Sequence, residues 1–254
     1  MKKIIWLCFF LTISAGLFAQ SEAQRLLESV DRLISFQEDD LSAEYTIVKR
    51  EPGGATESTV ATIFRRDGED KFMILILKPD ADKGKGYLKI DDNLWLYDPV
   101  GRSFTFTSAK ERLQNSSARI SDFTRSDFSL DYKAVNSYEE KLGVWDCTVL
   151  ELEALNDEVS FPKVKLWVSE DNLIRKMEDY SLSGQRMRVT AIPRYQKLED
   201  KWLPYNLVML DYLRSRTING KTEYERTTIT VSKPSLSELP DSLFTKEYLE
   251  RVNQ

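Results

Sequence analysis

Tyr87-Leu88-Lys89-Ile90 and Leu94-Trp95-Leu96-Tyr97 are two short runs of strand-forming residues, separated by Asp91-Asp92-Asn93. A turn sequence, Asp98-Pro99-Val100-Gly101, leads into a third run, Ser103-Phe104-Thr105-Phe106-Thr107. Strand-like runs separated by turn residues are typical of an antiparallel β-meander. The three runs therefore predict three consecutive antiparallel strands.

The turns of this meander decide which side chains share one face of the sheet. A four-residue turn would place Trp95 opposite Phe104, and a two-residue turn at Asp92-Asn93 would place Ile90 opposite Trp95. Because side chains alternate along a strand, one face then becomes aromatic and aliphatic. We predict that it points into the concave side of the sheet, where either permanent core or a removable ligand covers it. The predicted face consists of Leu88, Ile90, Trp95, Tyr97, Phe104 and Phe106.

The run from Phe72 to Leu77 is apolar on both faces of its predicted strand. An antiparallel strand with one wet face would alternate between apolar and polar residues. Both faces must therefore be covered, and we expect Phe72, Ile74 and Ile76 to join the concave apolar face.

Two segments are candidate covers for that face. Ser21 to Phe36 has the apolar spacing of an amphipathic helix, which either packs permanently on the sheet or also serves as a partial lid. Segment 108–132 is polar, is predicted to form short helices, and crosses between two groups of strands. The predicted lid residues in the two segments are Leu27, Val30, Ile34, Phe123 and Phe128.

About eleven strands follow one another at regular spacing, with Pro240 to Val252 as a closing helix. This order predicts a mainly β protein with helices (α+β), built on one strongly curved antiparallel sheet or barrel. No linker rich in Pro, Gly or Ser divides the chain. We expect residues 20–254 to form a single domain.

Residues 1–19 have the pattern of a secretory signal peptide. Lys2 and Lys3 precede an apolar run, and Ala19 offers a small residue before polar sequence begins at Gln20. A retained membrane anchor is the alternative, but the apolar run is short for a span. Cys8 lies inside that run, too early to be the acylated cysteine of a lipoprotein. We expect cleavage after Ala19 and a soluble exported protein.

Composition excludes several classes of function. The formal net charge is −5 and the pI is about 5.1, so nucleic acid is not an expected partner. The chain has no histidine, which removes Ser-His-Asp and Cys-His catalysis and most transition-metal sites. Carboxylate chemistry stays open, but no segment sets two carboxylates in an apolar environment. We expect no catalytic residue, no metal and no cofactor, and Cys147 to be a buried strand residue.

The chain resembles the LolA-like outer-membrane lipoprotein-sorting proteins. The residues that carry the likeness are Asn93-Leu94-Trp95-Leu96-Tyr97-Asp98-Pro99, Ser126-Asp127-Phe128-Ser129, Lys201-Trp202-Leu203-Pro204 and Pro240-Asp241-Ser242-Leu243-Phe244. The resemblance covers nearly the whole mature chain. It implies an unclosed β-barrel whose mouth is plugged by helices, an apolar cavity for lipoprotein acyl chains, and a periplasmic location.

The leading hypothesis is therefore a periplasmic carrier, or chaperone, that holds the acyl chains of lipoproteins or other lipids and moves them toward the outer membrane. The resemblance implies two partners, an inner-membrane exporter and an outer-membrane acceptor, and we expect a monomer. One alternative is a non-catalytic adaptor or accessory protein of a membrane exporter, whose sheet is filled by its own side chains. Another is an enzyme that uses carboxylates.

Overall fold

The computed structural model describes residues 22–90, 93–125 and 127–252. The predicted signal peptide lies outside these residues. The chain divides into two compact units, a small unit of residues 22–33 and 127–185 and a large unit of residues 34–125 and 186–252. We describe each unit by itself, and the single-domain assignment stays a prediction.

Thirteen antiparallel strands lie within the described residues. They are β1 Asp40–Arg50, β2 Thr56–Arg66, β3 Lys71–Lys78, β4 Gly86–Ile90, β5 Asn93–Asp98, β6 Ser103–Phe106, β7 Tyr132–Leu142, β8 Trp145–Ala154, β9 Lys163–Ser169, β10 Ile174–Tyr180, β11 Arg186–Leu198, β12 Lys201–Ile218 and β13 Lys221–Ser235. The predicted fold class, mainly antiparallel β with few helices, is confirmed, with thirteen strands and not eleven.

The large unit holds nine of these strands in the order β6-β5-β4-β3-β2-β1-β13-β12-β11. Apolar residues alternate along β1, so that Ala43, Tyr45 and Ile47 are buried while the residues between them are partly exposed. The hairpin between β12 and β13 turns at Asn219-Gly220, and both residues have positive φ. That geometry suits the Asn-Gly pair, because Asn and Gly tolerate the left-handed region best.

The small unit holds the strand order β10-β9-β8-β7 and two helices. They are α1, residues 22–34, whose last residue is counted with the large unit, and α2, Phe128–Asp131. Polar side chains on α1 fix the two helices to each other. The Asp31 carboxylate accepts hydrogen bonds from the backbone N–H groups of Phe128, at 3.2 Å, and Ser129, at 2.7 Å. Gln24 donates to the carbonyl of Ser129 at 3.1 Å.

The structure differs from the prediction at three elements. Strand β7 was not predicted, because its charged run at Glu139-Glu140-Lys141 hides the alternation of an edge strand. The helices expected in segment 108–132 are the 3-10 turns Leu113–Asn115 and Ile120–Phe123 together with α2. The closing helix is a 3-10 turn, Asp241–Phe244, followed by α3, Lys246–Arg251. None of the helices in the described part of the chain has the length and apolar content needed to span a membrane.

Candidate functional site

Strand β3 divides the apolar residues of the large unit between two faces of its sheet. Ile74 and Phe72 are buried in one core cluster, whereas Met73 is buried in another. Both clusters are covered by chain segments that are not strands. The run Phe72 to Leu77 is therefore apolar on both sides because each side is a protein interior, as the sequence predicts.

The first face, which we call the insert face, carries the larger cluster. It extends over β1, β2, β3, β4, β5, β12 and β13. Its buried strand residues are Leu41, Ala43, Tyr45, Ile47, Ala61, Ile63, Phe72, Ile74, Ile76, Tyr87, Leu94, Leu203, Met209, Ile229 and Val231. Burial raises the pKa of the Tyr45 and Tyr87 hydroxyl groups, so both stay neutral at physiological pH.

Residues 108–125, which we call the insert, cover this face. Leu113, Ala118, Ile120 and Phe123 are buried against the strand residues of the cluster. The Phe123 ring meets the Tyr45 ring edge to face, with centroids 5.6 Å apart. Phe123 was predicted as a lid residue, and the structure buries it in the same cluster as the predicted residues Phe72, Ile74 and Ile76.

Polar contacts attach the insert to β11 and β13. The Arg188 guanidinium donates to both carboxylate oxygens of Asp122, at 2.5 and 2.8 Å, and to the carbonyl of Ser117 at 3.1 Å. The Ser117 backbone N–H donates to the Thr227 hydroxyl at 2.9 Å, and its own hydroxyl donates to Glu225 at 2.8 Å. All of these side chains on the strands are buried, so the contacts are shielded from water.

Two further arginines extend this polar region. Arg112 of the insert donates to Asp211 and lies 3.7 Å from a carboxylate oxygen of Glu225. Arg214 donates to Glu225 at 2.9 Å and to the carbonyl of Asn115 at 3.0 Å. The insert face therefore has an apolar part next to a polar part that is rich in arginine and carboxylate groups.

The second face, which we call the tail face, is covered by residues 239–251, the tail. Leu88 and Tyr97 are buried there with Leu243, Phe244 and Leu249 of the tail. Gly86 makes the close approach possible, because a Cβ atom at this position would lie 2.4 Å from the Leu249 Cδ2 atom. Arg66 attaches the tail to the strands, because its guanidinium donates hydrogen bonds to Asp40 of β1 and to Asp241 and the Leu239 carbonyl of the tail.

The register of the meander corrects the predicted pairings. Leu88 lies opposite Trp95, and Tyr97 lies opposite Phe104. Each predicted partner is displaced by two residues, so the predicted set still shares one face. The ring centroids of Trp95 and Phe106 are 3.8 Å apart, and those of Tyr97 and Phe104 are 4.7 Å apart.

The prediction that this aromatic set shares a cavity with Phe72, Ile74 and Ile76 is wrong. Met73 lies opposite Leu88, whereas Ile74 lies opposite Tyr87. The meander therefore presents Tyr87 and Leu94 to the insert face. It presents Leu88, Ile90, Trp95, Tyr97, Phe104 and Phe106 to the tail face, where the Lys246 ammonium lies 3.2 Å from the centre of the Trp95 ring.

The predicted lid residues also fall into two groups. Leu27 and Val30 are fully buried in the small unit, where the Phe128 ring lies 6.0 Å from the Tyr132 ring. Ile34 and Phe123 belong to the large unit, where Ile34 is half-buried. Within the large unit, the described cover of the insert face is the insert together with Phe36, which is fully buried in the same cluster.

The polar region around Arg188 was not predicted. Arg188, Asp211 and Glu225 are buried positions of β11, β12 and β13 that alternate with partly or fully exposed residues, so strand alternation was the signal that could have placed them on the inner face. Charged residues at such positions are buried only when they are paired.

No group of three or more His, Cys, Asp or Glu side chains is placed to hold a metal ion in residues 22–90, 93–125 and 127–252. Cys147 is a buried free thiol in the small unit, packed with Val149 and Trp167. Burial raises the pKa of this thiol, which disfavours the reactive thiolate.

Comparison with known proteins gives one family profile and several solved structures of the same fold. Residues 68–251 match the sequence profile of a family described as uncharacterized proteins. A search of curated proteins gave no match. A LolA superfamily protein from Nitrosomonas europaea is 25% identical, with a TM-score of 0.75 over 89% of this chain and 98% of that chain.

Two further solved structures share the fold at lower identity. A candidate outer membrane lipoprotein-sorting protein domain from Vibrio parahaemolyticus is 16% identical, with a TM-score of 0.78 over 91% of this chain and 100% of that chain. A DUF1329 family protein from Desulfovibrio piger is 19% identical, with a TM-score of 0.78 over 91% of this chain and 99% of that chain. The chain belongs to the family of uncharacterized proteins whose profile it matches over residues 68–251, and it has the fold of the LolA superfamily.

Proposed function

We propose that the protein is a periplasmic carrier that binds the acyl chains of lipoproteins or other lipids on the insert face and moves them toward the outer membrane. One observation carries the proposal. The broad apolar face of the large unit is covered by a short irregular segment that is attached largely through side chains. The function needs no catalytic group, since acyl chains can be held by apolar burial alone.

The insert can move without disturbing the sheet. Its backbone-to-backbone hydrogen bonds stay within the insert, from Leu113 to Ala118 at 2.9 Å, from Ile120 to Glu111 at 3.0 Å and from Ser121 to Ala109 at 2.9 Å. Its backbone bonds to β11 and β13 are made with strand side chains. Displacing the insert therefore leaves the ladders of β1, β2, β12 and β13 intact. Segments of this kind open locally at a lower free energy than the strands beneath them.

Acyl chains would replace the contacts that the insert makes. Burial of each CH₂ group contributes about 0.8 kcal/mol, so an acyl chain can supply the apolar contact that Phe123, Ile120 and Leu113 give up. The two states then differ by only a few kcal/mol, which allows loading and release. An inner-membrane exporter and an outer-membrane acceptor are the proposed partners.

Hydrogen exchange tests the displacement. With a synthetic diacyl lipopeptide bound, we expect the amides of residues 113–123 to exchange faster, whereas those of the tail stay as protected as before. Native mass spectrometry of the purified protein provides the matching measurement of bound lipid. An insert whose exchange does not change when lipopeptide binds would contradict the assignment of the site to this face.

A pair of variants locates the binding face. Leu94→Glu places a charge on the insert face, and Phe104→Glu places the same charge on the tail face of the neighbouring strand. We expect only the first to weaken binding of a fluorescent fatty acid, because an unpaired charge is costly in apolar surroundings. Circular dichroism checks that both variants fold. Equal weakening in the two variants, or none in either, would move the site elsewhere.

The adaptor function is the second candidate. It is favoured by the burial of the insert face, since the chain's own side chains cover every residue of that cluster. The same measurements separate the two functions. An adaptor would carry no lipid and would show no change in insert exchange when lipopeptide is added.

A further inference from the structure

The hydroxyl group of Thr190 is buried without a partner. Thr190 lies on β11 with 0% of its surface exposed, and its Oγ1 atom has no hydrogen-bond partner in the structure. Among the described residues that are not exposed, it is the one buried side-chain nitrogen or oxygen atom found without a hydrogen-bond partner. Buried hydroxyl groups are nearly always hydrogen-bonded, because leaving one unpaired costs free energy of folding.

Thr190 faces the insert face of the sheet. It lies opposite Met209 of β12, which belongs to the core cluster of that face. Arg188, two residues earlier, points the same way, because its Nη1 atom lies 3.9 Å from the Met209 sulfur and also contacts the insert. Ile192, two residues later, is buried as well.

The position of Thr190 along β11 is the boundary between the two parts of the insert face. On one side lie Arg188, Asp122 and Ser117, which form the buried polar contacts. On the other side lies Ile192, which is apolar and buried, while Met209 lies level with Thr190. A ligand with an apolar chain and a polar head would have the junction between them at this level.

We propose that the Thr190 hydroxyl donates a hydrogen bond to the carbonyl oxygen that joins an acyl chain to the rest of its lipid, in an ester or an amide linkage. This inference rests on the proposed function and deepens it, since it names the chemical group that the carrier recognises. The hydrogen bond sets the depth of the ligand, with the hydrocarbon on the apolar side and the head group toward Arg188. A purely hydrocarbon ligand, or an ether-linked one, lacks the acceptor carbonyl.

The experiment compares three probes of equal chain length by calorimetric titration. They are a monoacylglycerol with its ester, an N-acyl glycinamide with its amide, and an alkylglycerol ether that lacks the carbonyl. We expect the parent protein to bind the ester or the amide about 3- to 10-fold more tightly than the ether, the range that one hydrogen bond supplies. The ratio of ester to amide affinity shows which linkage fits better.

Variants assign that preference to the hydroxyl. Thr190→Val should abolish the preference for a carbonyl and leave ether binding unchanged, whereas Thr190→Ser should keep it. Without ligand, Thr190→Val should melt no lower than the parent, because valine fills the same space and removes the unpaired hydroxyl. Thr190→Ala serves the same purpose if the valine variant does not fold.

Two outcomes overturn the inference, and they are distinguishable. If the parent binds the ether as tightly as the ester and the amide, or if Thr190→Val retains the preference, the carrier function stands and the role of Thr190 is refuted. If none of the three probes binds, the proposed function itself fails, and the inference falls with it.

Discussion

Asp40 is the residue at which the tail meets the strands. Its carboxylate accepts hydrogen bonds from Arg66 Nε at 2.9 Å, from Arg66 Nη2 at 3.0 Å and from the Leu239 backbone N–H at 2.7 Å. Burial alone would raise the pKa of Asp40, but these hydrogen bonds and the charge of Arg66 outweigh it and hold the pKa below its usual value. The carboxylate is thus a stabilising group in its charged form.

The lowered pKa predicts loss of stability in acid. In the unfolded chain Asp40 takes up its proton near the ordinary value, about 3.9. The folded protein takes up that proton only at lower pH, so the unfolded state binds more protons between the two values. The stabilisation by Asp40 is therefore fully present at neutral pH. It decreases as the pH falls from about 5 through the folded pKa.

Asp40→Asn should remove this contribution. We expect a free energy of unfolding about 1–3 kcal/mol lower at pH 7, the range for hydrogen bonds to a charged group. We also expect a shallower decline between pH 5 and pH 3, measured by urea denaturation at each pH. Glu38→Gln, at an exposed position nearby, is the control for loss of one negative charge. A parallel decline in Asp40→Asn and parent would show that other carboxylates cause the acid sensitivity.

At the scale of elements, the pair Arg188 and Asp122 decides how firmly the insert is held. The side-chain exposures are 5% for Arg188 and 12% for Asp122, so removing one partner leaves the other charge in a nearly dry environment. Asp122→Ala should therefore lower the free energy of unfolding by about 3–5 kcal/mol, whereas Asp122→Ala with Arg188→Met should cost less than the single change. Urea denaturation of the single and double variants measures the coupling.

An exposed ion pair provides the matched control. Lys141 and Asp146 are 3.4 Å apart with side-chain exposures of 66% and 65%, so Asp146→Ala should cost less than about 1 kcal/mol. If Asp122→Ala is no more destabilising than Asp146→Ala, the polar contacts beneath the insert do not hold it in place.

The elements also show where sequence patterns suffice. Alternation and turn residues predicted the strands and the grouping of Leu88, Trp95, Tyr97 and Phe104, because a register error of two residues preserves the face. The side of the sheet could not be predicted. It depends on how the loop after Phe72 to Leu77 sets Leu88 against Met73 and not against Ile74, and loop geometry leaves no periodic signal.

At the scale of the whole molecule, the LolA-like fold could be predicted because it depends on the order of many strands and turns. The candidate site could be predicted only in part. Phe72, Ile74, Ile76 and Phe123 do lie in one cluster, whereas Leu27, Val30 and Phe128 belong to the other unit. Contacts between distant segments decide such groupings, and no local pattern encodes them.

The proposed location also belongs to this scale. We expect the exported protein to begin at Gln20 or within a few residues of it, because signal peptidase cleaves after small residues such as Ala19. Intact-mass measurement of the protein from the periplasmic fraction checks the start. Ala19→Arg should block cleavage and leave the longer form. A parent mass that includes residues 1–19, or an added diacylglycerol, would contradict the expected soluble form.

The tail that covers the meander has a consequence for biogenesis. Leu239 and Asp40 are 199 positions apart in the sequence, yet they are hydrogen-bonded, and Leu243, Phe244 and Leu249 bury a face that is made long before them. At a synthesis rate of about 5–20 residues per second, the aromatic side chains of the meander wait roughly 7–30 s for their cover. During that interval the nascent chain exposes an apolar aromatic surface that other proteins can bind. Holdase chaperones that keep export substrates unfolded should therefore bind this surface until the last residues emerge.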